Sequence, residues 1–415
     1  MSKLNKAQIL IPAEIRGASP KAALEGLRGS RRARPFDSHL IEFVGAVSRI
    51  LLLDPSCRVF PELVALGHWF RPASLKRLAN LYQGTRQGKL MRARGVVFHL
   101  APSNVDSVFI YSWFLSLLCG NANIIRVSRK QSEQMDVLLR VLDGVITRSE
   151  YASVCRTNLV ITYDHDEEIT FELSRACNLR VIWGGDVSVA AVRSVPLPAR
   201  STELTFANRT SLALFRAEAI SLMSADELAQ LVAAFYNDTF WFGQQACSSP
   251  RSLIWFGSDE DCARAATRFW PAFEKHLVAK QPAASPADAV NRLAAASALA
   301  ASGQWMRMQS SPGDLPMRAR LNVLSESSRT WHCGTGIFWE VNIDSLDQLD
   351  ENLTQIDQTV VLHGFEGDQR KALSEKLADI GVDRVVRPGY ALEFSTVWDG
   401  VDFFERFSRE TVCVE

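Results

Sequence analysis

Apolar positions along the chain change their period twice. Through residues 1–90 they recur at helical steps, as at Leu40, Phe43, Val44, Val47, Ile50 and Leu51, a spacing that predicts amphipathic helices. Asp54-Pro55 and Phe60-Pro61 punctuate this helical region. From Arg94 short apolar runs take over. Gly95-Val96-Val97-Phe98-His99-Leu100 reads as a strand, residues 107–118 as a buried helix, and Ile124-Ile125-Arg126-Val127 as a second strand, which is the order of a βαβ crossover. Strands at 159–162 and 179–183 flank a helix at 167–177, so the alternation continues and predicts a mostly parallel sheet covered on both faces. Ligands of such sheets sit at the carboxyl ends of strands, here near Pro102-Ser103-Asn104 and Trp183-Gly184-Gly185-Asp186. After Val195-Pro196-Leu197-Pro198 a second region opens, with strands at 212–215 and 252–256 around a helix at 225–236. The Ala-rich stretch 282–297 reads as a connector leading into a surface helix.

A length of 415 residues with 47% hydrophobic and 22% charged positions describes a globular chain of two or three domains and excludes a disordered, collagen-like or coiled-coil protein. Lys and Arg number 46, as do Asp and Glu, so no net charge points to a nucleic-acid partner. The first 100 residues nevertheless hold 17 basic against 6 acidic side chains, densest in Gly29-Ser30-Arg31-Arg32-Ala33-Arg34-Pro35, which reads as an exposed loop on a solvated basic face. Eight scattered cysteines have no paired-ligand spacing, so neither a metal site nor a disulfide scaffold is expected, and reduced cytoplasmic thiols are. The N-terminus lacks the apolar core of a secretory signal. Residues 107–125 carry no charge, yet their continuous apolar part is too short to span a bilayer, and no transmembrane segment is expected.

Chemistry concentrates in Phe240-Trp241-Phe242-Gly243-Gln244-Gln245-Ala246-Cys247-Ser248-Ser249-Pro250-Arg251, a connection between a predicted helix and a predicted strand. Cys247 there is either a reactive thiol, if exposed and stabilised by charge or backbone N–H groups, or an inert core residue. Asn104, opening a helix after a strand, suits either an amide donor to a developing oxyanion or a helix cap. Gly184-Gly185 admits a phosphate to the following helix N-terminus, or makes a plain turn.

In their order and approximate spacing, Gly95-Val96-Val97, Pro102-Ser103-Asn104, Gly120-Asn121 with Ile124-Ile125-Arg126, Trp183-Gly184-Gly185 and Gly243-Gln244-Gln245-Ala246-Cys247 resemble the aldehyde dehydrogenase superfamily. Gln244-Gln245-Ala246-Cys247-Ser248-Ser249-Pro250, with Trp398-Asp399-Gly400, resembles more narrowly the LuxC-type acyl-CoA reductases, the fatty acid reductase subunits of bacterial bioluminescence systems and their relatives. The resemblance covers residues 90–410. It implies an α/β protein of the aldehyde dehydrogenase-like fold, with a Rossmann-like dinucleotide-binding domain at 91–200 completed by 386–415 and an α/β catalytic domain at 201–385 carrying the nucleophilic cysteine, after the helical N-terminal region at 1–90 that the spacing predicts. By that resemblance Cys247 takes the acyl group from a thioester, Asn104 stabilises the oxyanion together with a backbone N–H at or near Cys247, and hydride transfer releases a fatty aldehyde. Pro102, Ser103, Arg126, Ser128, Arg129, Trp183, Gly184, Gly185 and Asp186 would bind the cofactor.

Two departures from ordinary aldehyde dehydrogenases sharpen this expectation. Where those enzymes hold an acidic general base, the matching stretch reads Thr205-Phe206-Ala207-Asn208-Arg209-Thr210-Ser211; a thioester reductase does without a base that would activate water, although a shifted alignment would put Glu203 there. Arg129 stands where an acid favouring the free 2′-hydroxyl of NAD is frequent, and a cation there suits the 2′-phosphate, so NADPH is expected over NADH. The expected substrate is acyl-CoA or an acyl-protein thioester, with an acyltransferase or acyl-activating enzyme as partner, in a homo-oligomer. An oxidative aldehyde dehydrogenase and a silent paralogue serving as scaffold or acyl-carrier partner are the competing readings. Acyl chain length and pathway are not encoded in these motifs.

Overall fold

The computed structural model describes residues 3–101, 108–129, 132–280, 285–303, 305–309 and 315–414. The chain forms two units, Met1–Ala207 with Ser395–Glu415, and Asn208–Phe394. In the first, Gln8–Ile11 (β1) and Leu90–Ala93 (β2) precede Val96–Leu100 (β3), Ala122–Val127 (β4), Asn158–Thr162 (β5), Leu179–Trp183 (β6) and Thr202–Phe206 (β7). The main sheet has the order β1-β5-β4-β3-β6-β7. Every pairing among β3 to β7 is parallel, and only β1 runs antiparallel, on β5. The parallel part is a doubly wound arrangement whose order reverses between β3 and β6. All residues of β3, β5 and β6 are buried, as strands covered on both faces require.

The expected crossover is present, and the uncharged stretch within it is core. Helix Val108–Leu118 buries Trp113 and Phe114 completely, and Ile124 and Ile125 of β4 are equally inaccessible. A buried polar chain crosses this layer. His99 Nδ1 meets Ser112 Oγ at 2.8 Å and its Nε2 meets Asn123 Oδ1 at 3.1 Å, while Asn123 and the Trp113 indole both donate to Asn158 Oδ1, at 2.8 and 2.6 Å. Burial pushes His99 down to about 4, which keeps the ring neutral. His99 is therefore a satisfied interior histidine.

Residues 3–90 are mostly helical, with helix Ser38–Leu53 burying Leu40, Phe43, Val44, Val47 and Leu51. Two features of this region differ from the sequence reading. β1 is a strand inside it, and the basic loop is partly spent on capping: Arg32 donates to the carbonyls of Leu27 at 3.1 Å and Ser30 at 2.6 Å beyond helix Pro20–Gly29, where a cation complements the helix dipole.

The second unit contains Thr210–Arg216 (β8), Pro250–Phe256 (β9), Trp305–Met308 (β10), Met317–Leu321 (β11), Ile337–Ile343 (β12), Asp357–His363 (β13) and Arg384–Val386 (β14), in the order β10-β11-β12-β9-β8-β13-β14. All are parallel except β10, which runs antiparallel to β11. The Ala-rich stretch forms helix Pro286–Ala301, opened by a capping box of Ser285 and Asp288 and packed through Ala295, Ala296 and Leu299. Inside the core, Glu340 is fully buried and accepts from the indoles of Trp255 and Trp270, both at 2.8 Å.

Residues from Ser395 onward belong to the first unit. Val397–Trp398 (β15) and Val401–Asp402 (β16) form a hairpin, and Ser408–Thr411 (β17) pairs with β2. Trp398-Asp399-Gly400 is thereby explained structurally. Asp399 and Gly400 are the two turn residues, with φ of 48° and 70°, the left-handed pair that a tight hairpin favours.

Candidate active site

Cys247 lies in the second unit, in the connection between helix Ala225–Phe240 and β9. Because β8, β9, β12 and β13 run parallel, the segments entering them meet at the amino edge of the sheet, opposite the edge where ligands of doubly wound sheets usually sit. The connection turns sharply: Gly243 and Gln244 both adopt positive φ, 53° and 59°, and Gln244 N–H reaches back to Thr239 O at 2.8 Å. The Gln244 side chain is fully buried. Its amide nitrogen donates to Pro250 O at 3.1 Å and Ile337 O at 3.0 Å, and its oxygen accepts from Gly336 N–H at 2.7 Å. One side chain thus closes the cysteine loop and fastens it to the loop before β12.

A second set of bonds holds the same two loops. Gln245 Nε2 donates to Cys333 O at 2.9 Å, and Thr335 N–H donates to Gly243 O at 2.8 Å. Gly334, at φ 75°, lies so close that a Cβ there would stand 2.6 Å from Gln245 Nε2 and 3.0 Å from Gly243 O, so only glycine fits this approach. On the other side, Ser211 Oγ donates to Cys247 O at 2.6 Å and accepts from Thr359 N–H at 3.2 Å. The cysteine backbone is therefore anchored to β8 and β13, while the residue itself is half-buried.

The electrostatics near the thiol are cationic. Arg251, at the head of β9, donates from Nε to Gln244 O at 3.2 Å. Burial pulls its guanidinium below the usual arginine range, and the thiols of Cys247 and Cys333 pull it back up. That interaction is reciprocal, so the guanidinium favours the thiolate forms. His332 adds no charge. Its Nδ1 accepts from Gly334 N–H at 3.0 Å, its Nε2 donates to Ile337 O at 3.0 Å, and burial holds it well below the usual histidine range. Arg251→Gln is expected to slow iodoacetamide labelling of Cys247 severalfold at neutral pH and to move its pH midpoint upward; an unchanged profile would show that Arg251 has no hold on the thiolate.

In the first unit, the expected cofactor residues that are described lie at the carboxyl edge of the doubly wound sheet, at the ends of β4 and β6 and just beyond them. Trp183 closes β6 and stacks on Phe206, centroids 3.9 Å apart; its indole Nε1 is buried and has no hydrogen-bond partner among the described residues. Gly185 is the N-cap of helix Asp186–Arg193, which has no side-chain cap. A small-residue approach, a helix N-terminus and an unmatched indole donor fit a phosphate-bearing dinucleotide. Arg126 is the penultimate residue of β4 and Arg129 follows the strand, Arg126 packing on the Tyr163 ring at 5.4 Å and Arg129 pairing with Asp164 at 2.6 Å, with Ser128 between them. Pro102, Ser103 and Asn104 lie outside the described residues. Glu203 has both carboxylate oxygens engaged, one by the buried Arg180 and the other by Arg193 at 3.2 Å. Among the described residues no group of three or more His, Cys, Asp or Glu side chains could hold a metal ion, and no helix is long and apolar enough to cross a membrane.

Sequence reasoning singled out the cysteine loop and missed what holds it. Ser211 with its partner Thr359, 148 residues away, and Gln244 with its partners Gly336 and Ile337, 92 and 93 residues away, hold it, and no local spacing announces such contacts.

A doubly wound sheet in one unit and a mostly parallel sheet in a second α/β unit make up the fold, and it is that of the aldehyde dehydrogenases. The solved structures similar to this chain agree. An NAD-dependent aldehyde dehydrogenase from Sinorhizobium meliloti superposes with a TM-score of 0.69 at 12% identity, over 94% of this chain and 85% of that one. A NAD-dependent benzaldehyde dehydrogenase from Corynebacterium glutamicum gives 0.63 at 13%, over 95% and 89%, and a glyceraldehyde-3-phosphate dehydrogenase from Methanocaldococcus jannaschii, complexed with NADP, gives 0.64 at 10%, over 94% and 92%. No curated protein matches by sequence. The family model described as acyl-CoA reductase (LuxC) matches residues 72–296, more than half of the chain. The chain belongs to the LuxC acyl-CoA reductase family, and its fold is that of the aldehyde dehydrogenases.

Proposed function

We propose that the chain reduces an acyl thioester, with fatty acyl-CoA as the donor class, to the aldehyde, using NADPH and an acyl-enzyme on Cys247. The observation that carries this reading is the Cys247 loop itself: a half-buried thiol on an anchored backbone beside a partly buried guanidinium. The Cys247 thiolate adds to the thioester carbonyl, the carbon–sulfur bond to CoA breaks, and the CoA thiolate leaves, so that one thioester is exchanged for another. Asn104 and a backbone N–H near Cys247 are assigned to the oxyanion. The reduced nicotinamide supplies, when bound, the hydride that brings the acyl carbon to the aldehyde oxidation level. Collapse of the resulting hemithioacetal, with loss of its hydroxyl proton, breaks the bond to Sγ, releases the aldehyde and returns the thiolate.

Glu203 supports reduction over hydrolysis. An acyl-enzyme is lost to water when a free carboxylate activates that water, and the Glu203 carboxylate is tied to Arg180 and Arg193. Trp183, Gly184, Gly185 and Asp186 are assigned to the dinucleotide, with Arg126, Ser128 and Arg129 toward its adenosine ribose. The test is NADPH consumption with acyl-CoAs of short to long chain, followed with intact-mass detection of the protein. Turnover together with an acyl adduct is expected; hydrolysis to free acid without NADPH consumption would replace this reading.

A further inference from the structure

The 2′ position of a dinucleotide's adenosine ribose is read beside the second strand of a doubly wound sheet, next to the switch in strand order. Here that strand is β4, and its neighbour β5 ends at the same level, with Val127 paired to Thr162. The two strand ends carry an unusual set of charges. Arg126 is committed to the segment after β5: its Nη2 donates to Tyr163 O at 3.2 Å and its guanidinium packs on the Tyr163 ring. Arg129 instead ends in an ion pair with Asp164, 2.6 Å long, with both side chains exposed, 51% and 72%. The next acid, Asp166, is occupied by the N–H groups of Glu168 and Ile169 at the start of helix Glu167–Ala176. Asp164 therefore supplies the carboxylate that β4 lacks, and delivers it from the neighbouring strand.

We propose that Asp164 is the specificity-determining residue of the cofactor site, a built-in competitor of the 2′-phosphate for Arg129. The inference rests on the reading that the first unit binds a nicotinamide dinucleotide. With Asp164 seated on Arg129, the carboxylate is placed to accept a hydrogen bond from a free 2′-hydroxyl. A 2′-phosphate has to displace it from the guanidinium and then bind beside a like charge. The chain thus accepts both cofactors, and its preference for NADPH is smaller than Arg129 alone would give. Two phosphate charges against one carboxylate charge about 6 Å away in a water-like medium amount to about a tenfold change in affinity.

The test is direct titration of the whole protein with NADPH and with NADH, read from nicotinamide fluorescence, independently of any acyl substrate. Asp164→Asn is expected to tighten NADPH about tenfold and to leave NADH unchanged or weaker. Arg129→Ala is expected to weaken NADPH and spare NADH, and raising salt should narrow the difference between the native chain and Asp164→Asn. Both positions are exposed, so neither substitution threatens folding. If Asp164→Asn changes both cofactors equally, or neither, Asp164 has no part in the choice and the proposal falls while the cofactor reading stands. If the native chain binds neither cofactor, the cofactor reading itself fails and takes the proposal with it.

Discussion

Cys247→Ala is expected to lower acyl-CoA-dependent NADPH oxidation on the order of 10⁴-fold and to erase the acyl adduct from the mass spectrum, because the covalent route disappears with the sulfur. The loop should survive the change. It is fastened through the backbone carbonyl of Cys247 and the side chains of Ser211, Gln244 and Gln245, and the substitution leaves all of these in place. NADPH should still bind, read by fluorescence titration, since none of the residues assigned to the dinucleotide is changed. Two results would count against the nucleophile assignment: an adduct persisting on Cys333 or another thiol, or turnover within tenfold of the native chain.

Gln244→Ala is expected to cost about 3 kcal/mol of stability in denaturant unfolding. The amide satisfies two carbonyls and one N–H in a fully buried place, and each buried polar group left without a partner costs about 1–3 kcal/mol. Gln244→Glu provides the control for shape. A carboxylate of the same size still accepts from Gly336 N–H, yet it cannot donate to Pro250 O or Ile337 O, so it should be nearly as damaging as alanine. A loss below about 1 kcal/mol for both variants would mean that the two loops hold together without the amide. Activity should fall with stability in these variants, because the same amide sets where the Cys247 backbone runs.

The alternation that placed β3, β4, β5 and β6 was legible because each strand is an apolar run buried on both faces, bounded by a turn and followed by a helix. β1 and β7 were harder for opposite reasons. β1 is four residues long inside a helical region, and its place is decided by pairing with β5 rather than by its own period. β7 alternates only partly, with Glu203 turned to its arginine partners, so its segment reads as a connection. At the candidate site, Cys247 was legible as part of a motif. Arg129 was too, but its charge could not be interpreted alone: the partner that neutralises it is 35 residues away in sequence and adjacent only because β4 and β5 are neighbours.

The interrupted composition of the first unit has a consequence for how the chain is made. Residues 208–394 form an unbroken segment that can close on itself, as domains generally fold as units. The first unit, although begun earlier, cannot be completed until residues 395–414 arrive. Phe403, Phe404 and Phe407 are fully buried, with Phe403 against Phe206 and Phe404 against Tyr82 and Phe36. Until those three rings are delivered, the first unit has an open aromatic seam at Phe36, Tyr82 and Phe206, so a chain cut at residue 394 should expose these rings and bind an apolar dye such as ANS, where the full chain does not.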